Sequence, residues 1–156
     1  MEPLRDLLLV ASGIVLKASL DWLADRRLEK RTKRERRDSF EHDALVALQE
    51  AAVRLARSVE SIVSEQRNML SRAGQWLPPS EFPELLARQQ ETFDAVRINR
   101  DRTQSSNCRT LGAAFLRECQ RALEAENDQR AVDAVARCWD AYESLSTAVG
   151  NVIRGS

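Results

Sequence analysis

The feature that most constrains the fold is a long stretch without helix-breaking residues. Neither proline nor glycine occurs between Ile14 and Ala73, and proline is absent from Leu4 to Leu77. These two residues are the strongest interruptions of a helix. In the second half of the stretch, apolar residues recur every three or four positions, which is typical of an α-helix and not of an alternating strand. The chain is therefore predicted to be all-α.

That second half carries a seam of apolar residues between Asp43 and Leu70. The seam positions are Leu45, Leu48, Ala52, Leu55, Val59, Ile62 and Met69, with Gln66 as the one polar member. Alternating steps of three and four place such residues on one helix face, which must be buried in a bundle or a coiled coil. We expect a long helix over Ser39–Ala73 that packs against the rest of the chain or against a second copy.

Glycine and proline predict where this helix ends and where the next begins. Gly74 followed by Pro78-Pro79 is a typical helix stop. Ser80 is the predicted N-cap of the next helix, and Pro83 is compatible with its first turn.

Two more boundaries divide the rest of the chain. The polar stretch Thr103–Asn107 leaves open whether residues 81–125 form one helix or two, and Asn127-Asp128 is a cap for the last helix. Residues 39–154 are therefore predicted to form an up-and-down antiparallel bundle of three or four amphipathic helices. The predicted apolar faces are Phe82, Leu85, Leu86, Phe93 and Val96; Leu111, Ala114, Phe115, Cys119, Ala122 and Leu123; and Val132, Val135, Trp139, Tyr142, Leu145, Val149 and Val152.

The N-terminal residues 1–24 form a predicted hydrophobic anchor helix. Leu7–Leu16 is uncharged, and Leu4–Ala24 has the length that crosses a hydrocarbon core of about 30 Å. Lys17 and Asp21 oppose this interpretation, although residues four apart on a helix can pair. Three alternatives stay open for the segment: a single-pass transmembrane helix, an amphipathic helix on the membrane surface, or a core helix of a soluble bundle.

The charge of the chain balances overall but is strongly segregated. Against 24 Lys+Arg and 24 Asp+Glu in total, residues 26–37 hold eight basic and two acidic residues, a net charge of +6. Such a cluster after an apolar helix marks the cytoplasmic side and attracts anionic headgroups. Residues 25–38 are thus a predicted basic juxtamembrane collar. The residues expected to contact anionic lipid or phosphate are Arg26, Arg27, Lys30, Arg31, Lys33, Arg34, Arg36 and Arg37.

Two other interpretations of the collar remain. It could be a solvated bridge within a soluble protein, or it could bind the phosphates of a nucleic acid. Basic residues on all sides of the segment, the lack of interleaved aromatic residues and the net charge of −6 in the remainder count against nucleic acid.

The sequence offers no catalytic or cofactor motif. His42 is the one histidine, the five glycines build no phosphate loop, and the three cysteines contain no C-x-x-C pair. We expect no enzymatic activity, no cofactor and no metal site. Cys119 and Cys138 lie on apolar faces and are predicted to pack as small hydrophobic residues.

The leading functional hypothesis is a non-enzymatic membrane protein. It would present a cytoplasmic coiled-coil-like bundle for interaction with a protein partner or for self-association, with anionic headgroups at the collar. The alternatives are a soluble, cytoplasmic helical module that binds nucleic acid through residues 26–37, and a soluble bundle of another role.

Overall fold

The fold consists of helices joined by short connections. A computed structural model describes the backbone of residues 2–155 and the side chains of Trp22 and of residues 26–155. Within these residues it contains no strand. The elements are α1 (Glu2–Ala73), a 3-10 helix (Pro79–Glu81), α2 (Pro83–Arg102), α3 (Ser106–Leu123) and α4 (Asp128–Gly155). The all-α prediction is confirmed.

The chain divides into two compact units, with the boundary after Phe40. The predicted anchor Leu4–Ala24 belongs to the first unit, and its side chains, Trp22 apart, lie outside the described residues. A search of the described residues finds no helical stretch long and apolar enough to cross a membrane.

In the second unit, the apolar seam of α1 forms one side of the core, as its spacing predicts. Seven seam positions are buried and Met69 is half-buried. The buried members are Leu45, Leu48, Ala52, Leu55, Val59, Ile62 and Gln66. The apolar members from Leu45 to Val59 cluster with Phe115 of α3 and with Leu145 and Val149 of α4. The helices of the same chain therefore cover the seam, and the bundle prediction is confirmed.

Polar contacts between α1 and α4 show that these helices are antiparallel. Gln49 Nε2 donates a hydrogen bond of 2.7 Å to Ser146 Oγ, and Arg67 Nε lies 2.7 Å from Asp128 Oδ1. The second contact lies eighteen residues later in α1 and eighteen residues earlier in α4 than the first, so the two helices run in opposite directions. Because both pairs are partly exposed, they contribute little to stability and serve here as markers of register.

The one polar seam member ties down the connection after α1. Gln66 is buried, and its Nε2 donates a 2.7 Å hydrogen bond to the Leu77 carbonyl. Nearby, Trp76 Nε1 donates a 3.0 Å hydrogen bond to the Ala125 carbonyl, which joins this connection to the one between α3 and α4. This bond gives the amide nitrogen a partner, whereas Gln66 Oε1 is buried without a hydrogen-bond partner among the described residues.

The helix ends follow the sequence signals, with one exception. Gly74 adopts a φ of +69°, which glycine tolerates best, and α1 ends before it. Asn127 Oδ1 accepts a 3.0 Å hydrogen bond from the Arg130 N–H and caps α4 as predicted. The prediction that Ser80 is an N-cap is wrong, because α2 begins at Pro83. A residue that precedes proline is disfavoured in helical conformation, so Phe82 (φ −120°, ψ 63°) separates the 3-10 helix from α2.

The polar stretch after α2 is a true break, so residues 81–125 contain two α-helices. α3 starts at Ser106, where Ser105 Oγ accepts a 3.2 Å hydrogen bond from the Cys108 N–H as an N-cap. Of the predicted α2 face, Val96 is fully buried and the other members are half-buried. α2 thus lies at the edge of the core.

The buried face of α4 differs from the predicted face in its first half. Val132 is 36% exposed, and Trp139 and Tyr142 are only partly buried against the core. The fully buried positions there are small: Ala131, Ala134 and Cys138. Small side chains allow α3 and α4 to approach closely, and this geometry moves the large rings to the flank of the interface.

A carboxylate from α1 holds the connection between α2 and α3. Glu41 Oε1 accepts hydrogen bonds from Thr103 Oγ1 at 2.5 Å and from the Ser105 N–H at 3.2 Å, and its Oε2 accepts from the Gln104 N–H at 2.6 Å. Thr103 is 1% exposed. The Glu41 carboxylate therefore accepts hydrogen bonds from three consecutive residues of a connection in which no helix supplies acceptors for these donors.

We expect Glu41→Gln to lower the free energy of unfolding by about 1–3 kcal/mol, because an amide N–H₂ would replace one acceptor and leave a donor unpaired. Urea denaturation followed by circular dichroism measures the change. Glu50→Gln is the matched control on the same helix, since Glu50 is exposed, and it should stay within about 0.5 kcal/mol of the wild type. Equal losses for the two variants would contradict the assigned role.

Candidate functional site

The predicted site residues lie on a fully exposed part of α1. Every side chain from Arg26 to Phe40 is exposed, including all eight basic residues of the collar. Three large apolar side chains of the first unit are also exposed: Trp22 (55%), Leu28 (60%) and Phe40 (49%). The site is therefore a charged helix surface, with neither a cleft nor a buried pocket.

The helix gathers most of the basic residues on one face. Successive residues are rotated by about 100° in an α-helix. Arg26, Lys30, Lys33 and Arg37 recur at steps of four, three and four, and they form one stripe. Arg27, Arg31 and Arg34 form a second stripe beside it, so seven basic residues lie within an arc of about 160°. We call these seven residues the basic face.

This arrangement corrects the expectation that basic residues occur on all sides. Residues spaced three or four apart lie on the same side of a helix, so the basic residues are concentrated on one face when the segment forms a continuous helix. Arg36 is the one basic residue of the collar outside the basic face. Glu29 and Glu35 also lie outside it, whereas Asp38 lies within its arc, between Arg27 and Arg31. The structure thus brings together seven of the eight predicted residues and separates the eighth.

Two local contacts shape the edge of the basic face. The Arg26 guanidinium lies 4.4 Å from the centre of the Trp22 ring, within the range of a cation–π interaction. Lys33 Nζ lies 2.6 Å from Glu29 Oε1. The hydrogen bond from Lys33, followed by its charge, holds the pKa of the Glu29 carboxyl below its usual value. The ionised Glu29 carboxylate offsets part of the charge of Lys33.

A second group of arginines, at the turn between α3 and α4, has a different character. Arg121 and Arg137 lie 2.5 Å and 3.3 Å from the Glu118 carboxylate, and Arg130 lies 3.2 Å from Glu126. Each cation thus faces a carboxylate. These residues line an open cleft without an excess of positive charge, unlike the basic face.

Two of the three cysteines form a contact between α3 and α4 that the sequence does not predict. Cys108, Cys119 and Cys138 are all buried, as predicted for the last two. The Sγ atoms of Cys119 and Cys138 are also only 3.0 Å apart. Their separation of nineteen residues carries no recognisable motif, and the pairing depends on how α3 packs on α4.

Among the described residues, no group of three or more His, Cys, Asp or Glu side chains is placed to hold a metal ion. His42 is exposed in α1 and lies beside Glu41 in the sequence.

Comparison with known protein families, with curated proteins and with solved structures finds no significant match.

Proposed function

We propose that the protein is a non-enzymatic, single-pass membrane protein anchored by residues 4–24, whose bundle meets a protein partner or a second copy in the cytoplasm. The observation that carries the proposal is the exposed basic face, because it directly follows an apolar segment that contains the uncharged run Leu7–Leu16. Cationic side chains in this position attract anionic headgroups by about 1 kcal/mol each.

The proposed partner contact uses the outer surface of the bundle. The α1 seam is covered by helices of its own chain, so it is not available to a second copy without unfolding. On the outer surface, Val46 (36%), Ile98 (53%) and Val132 (36%) are the large apolar side chains of the bundle that are most exposed. They come from α1, α2 and α4, and a partner that covers any one of them would also cover charged neighbours.

Nucleic acid is the second candidate partner, and the one-sided basic face favours it more than a uniformly charged collar would. A stripe of Lys and Arg can follow a row of phosphates. The bundle opposes this function, because residues 41–155 hold 14 Lys/Arg and 17 Asp/Glu, a net charge of −3. We therefore place membrane lipid first.

We expect wild-type chain to stay in the membrane fraction after an alkaline wash and to float with lipid on a density gradient. Leu8→Arg with Val10→Arg should release it, because each charge inside a membrane helix is costly, by up to the roughly 2.5–3.5 kcal/mol of a charge at its centre. Flotation separates membrane protein from aggregates, which pellet without floating.

The matched control adds two arginines at exposed bundle positions, Ser80→Arg with Ile98→Arg. This variant should float like the wild type. Wild-type protein that is soluble after gentle lysis would contradict the anchor.

The basic face should bind anionic vesicles. In the full-length chain released by Leu8→Arg and Val10→Arg, we expect binding to vesicles that contain phosphatidylglycerol and none to phosphatidylcholine alone. Neutralising Arg27, Lys30 and Arg34 to Gln should weaken binding about 100-fold, from about 1 kcal/mol for each charge. Gln preserves helix propensity, and vesicle co-sedimentation at low salt measures the effect.

The control for this variant neutralises three exposed bundle arginines, Arg88, Arg109 and Arg117, to Gln. It changes the net charge equally and should bind almost as the parent does. Equal losses of vesicle binding in the two variants would show that binding depends only on net charge. Steep salt-dependent binding to duplex DNA without vesicle binding would favour the nucleic-acid function.

The orientation of the chain follows from the collar, because clustered Lys and Arg stay on the cytoplasmic side. In a bacterial host, an alkaline phosphatase fused to the C-terminus should be inactive, since this enzyme is active only outside the cytoplasm. A green fluorescent protein fused at the same position should fluoresce. Active phosphatase with a dark fluorescent fusion would reverse the proposed topology.

A further inference from the structure

We propose that Cys119 and Cys138 are a modification site, at which oxidation forms a disulfide bond between α3 and α4. The inference concerns the bundle alone and does not rest on the proposed membrane function. It starts from the 3.0 Å distance between the two Sγ atoms. A disulfide bond is about 2.05 Å long, so the sulfurs need to move by only about 1 Å.

The packing around the two thiols supports the pairing independently. One helical turn from the thiols, Phe115 of α3 contacts Tyr142 of α4, with ring centres 6.4 Å apart. Next to them in sequence, Glu118 and Arg137 form an ion pair of 3.3 Å. Each contact fixes the same antiparallel register of α3 against α4, so Cys119 faces Cys138 because of the interface as a whole.

The third cysteine has no comparable partner. Cys108 lies in the first turn of α3, eleven residues before Cys119 on the same helix. At about 1.5 Å per residue, the two are about 16 Å apart, whereas a disulfide needs Cα atoms within about 7 Å. Cys138 lies level with Cys119, so it is equally remote from Cys108. The native fold therefore selects one pair among the three that three cysteines allow.

The oxidation is a thiol–disulfide exchange with a low-molecular-weight disulfide such as oxidised glutathione. One cysteine thiolate attacks a sulfur of the small disulfide, which forms a mixed disulfide and releases one small thiol. The second cysteine then attacks the protein sulfur of the mixed disulfide, closes the Cys119–Cys138 bond and releases the second small thiol. The protein loses two electrons and two protons, and the small disulfide gains both.

Burial makes this site slow to react and slow to reverse. Cys119 is 0% exposed and Cys138 is 1% exposed. The hydrogen bond with Cys138, followed by burial, raises the pKa of the Cys119 thiol well above its usual value. Since the thiolate is the nucleophile, exchange requires a local opening of α3 from α4. Once the disulfide is formed, the same burial shields it from small thiols.

The test uses the full chain. It includes an unfolding and refolding step, so that slow access of the oxidant to the buried thiols is not mistaken for a lack of pairing. The reduced protein is refolded from guanidinium in a glutathione redox buffer, quenched with acid, denatured, and treated with N-ethylmaleimide. Mass spectrometry should find one alkylated thiol, at Cys108, and a tryptic fragment that joins residues 118–121 to residues 138–154. Oxidised protein should also melt roughly 5–10 °C above reduced protein.

Three variants serve as controls, each checked for helix content by circular dichroism. Cys108→Ala should retain the cross-link, whereas Cys119→Ala and Cys138→Ala should lose both the cross-link and the redox-dependent change in melting temperature. Three alkylated thiols after oxidative refolding, a stable glutathione adduct in place of the internal bond, or a cross-link that includes Cys108 would each overturn the proposal.

Discussion

The close antiparallel packing of α3 on α4 is the contact on which the rest of the bundle depends. Both helices bury small residues, Ala122 in α3 and Ala131 and Ala134 in α4. Close packing permits a single register, because each side chain must fit a gap in the facing helix. That register places Cys119 beside Cys138. Trp139 and Tyr142 of α4 are only partly buried beside this contact.

The second organising constraint is the separation of charge. Residues 26–37 carry a net charge of +6 and residues 41–155 a net charge of −3. In the bundle, several cations face nearby carboxylates, as Arg121 and Arg137 do at Glu118. In the collar, Glu29 and Glu35 lie off the basic face, and Glu29 engages one lysine at its edge. Surface pairs of this kind stabilise little, so the collar contributes little to folding, and the proposed external anion would balance its charge.

Local patterns predicted most of the elements, leaving open whether residues 81–125 form one helix or two, but they did not predict the mutual register of the helices. The stop at Gly74 and the cap at Asn127 depend on a few adjacent residues, so the sequence predicts them well. The effect of Pro83 on Phe82 is equally local, and it overrides the cap at Ser80. By contrast, the contacts of Glu41 with residues 103–105 and the thiol pair join parts of the chain that are brought together only by packing. Periodicity locates an apolar face but favours its largest residues, whereas close helix packing selects the small ones.

The proposed orientation and the proposed disulfide are linked through the compartment that the bundle occupies. A bundle on the cytoplasmic side meets reduced glutathione, which keeps most protein thiols reduced. There, Cys119 and Cys138 would hold α3 to α4 only as packed hydrophobic groups. On the opposite side the pair would oxidise, and a covalent bond would join the two helices. If the charge of the collar sets the orientation as proposed, it also determines whether this bond forms.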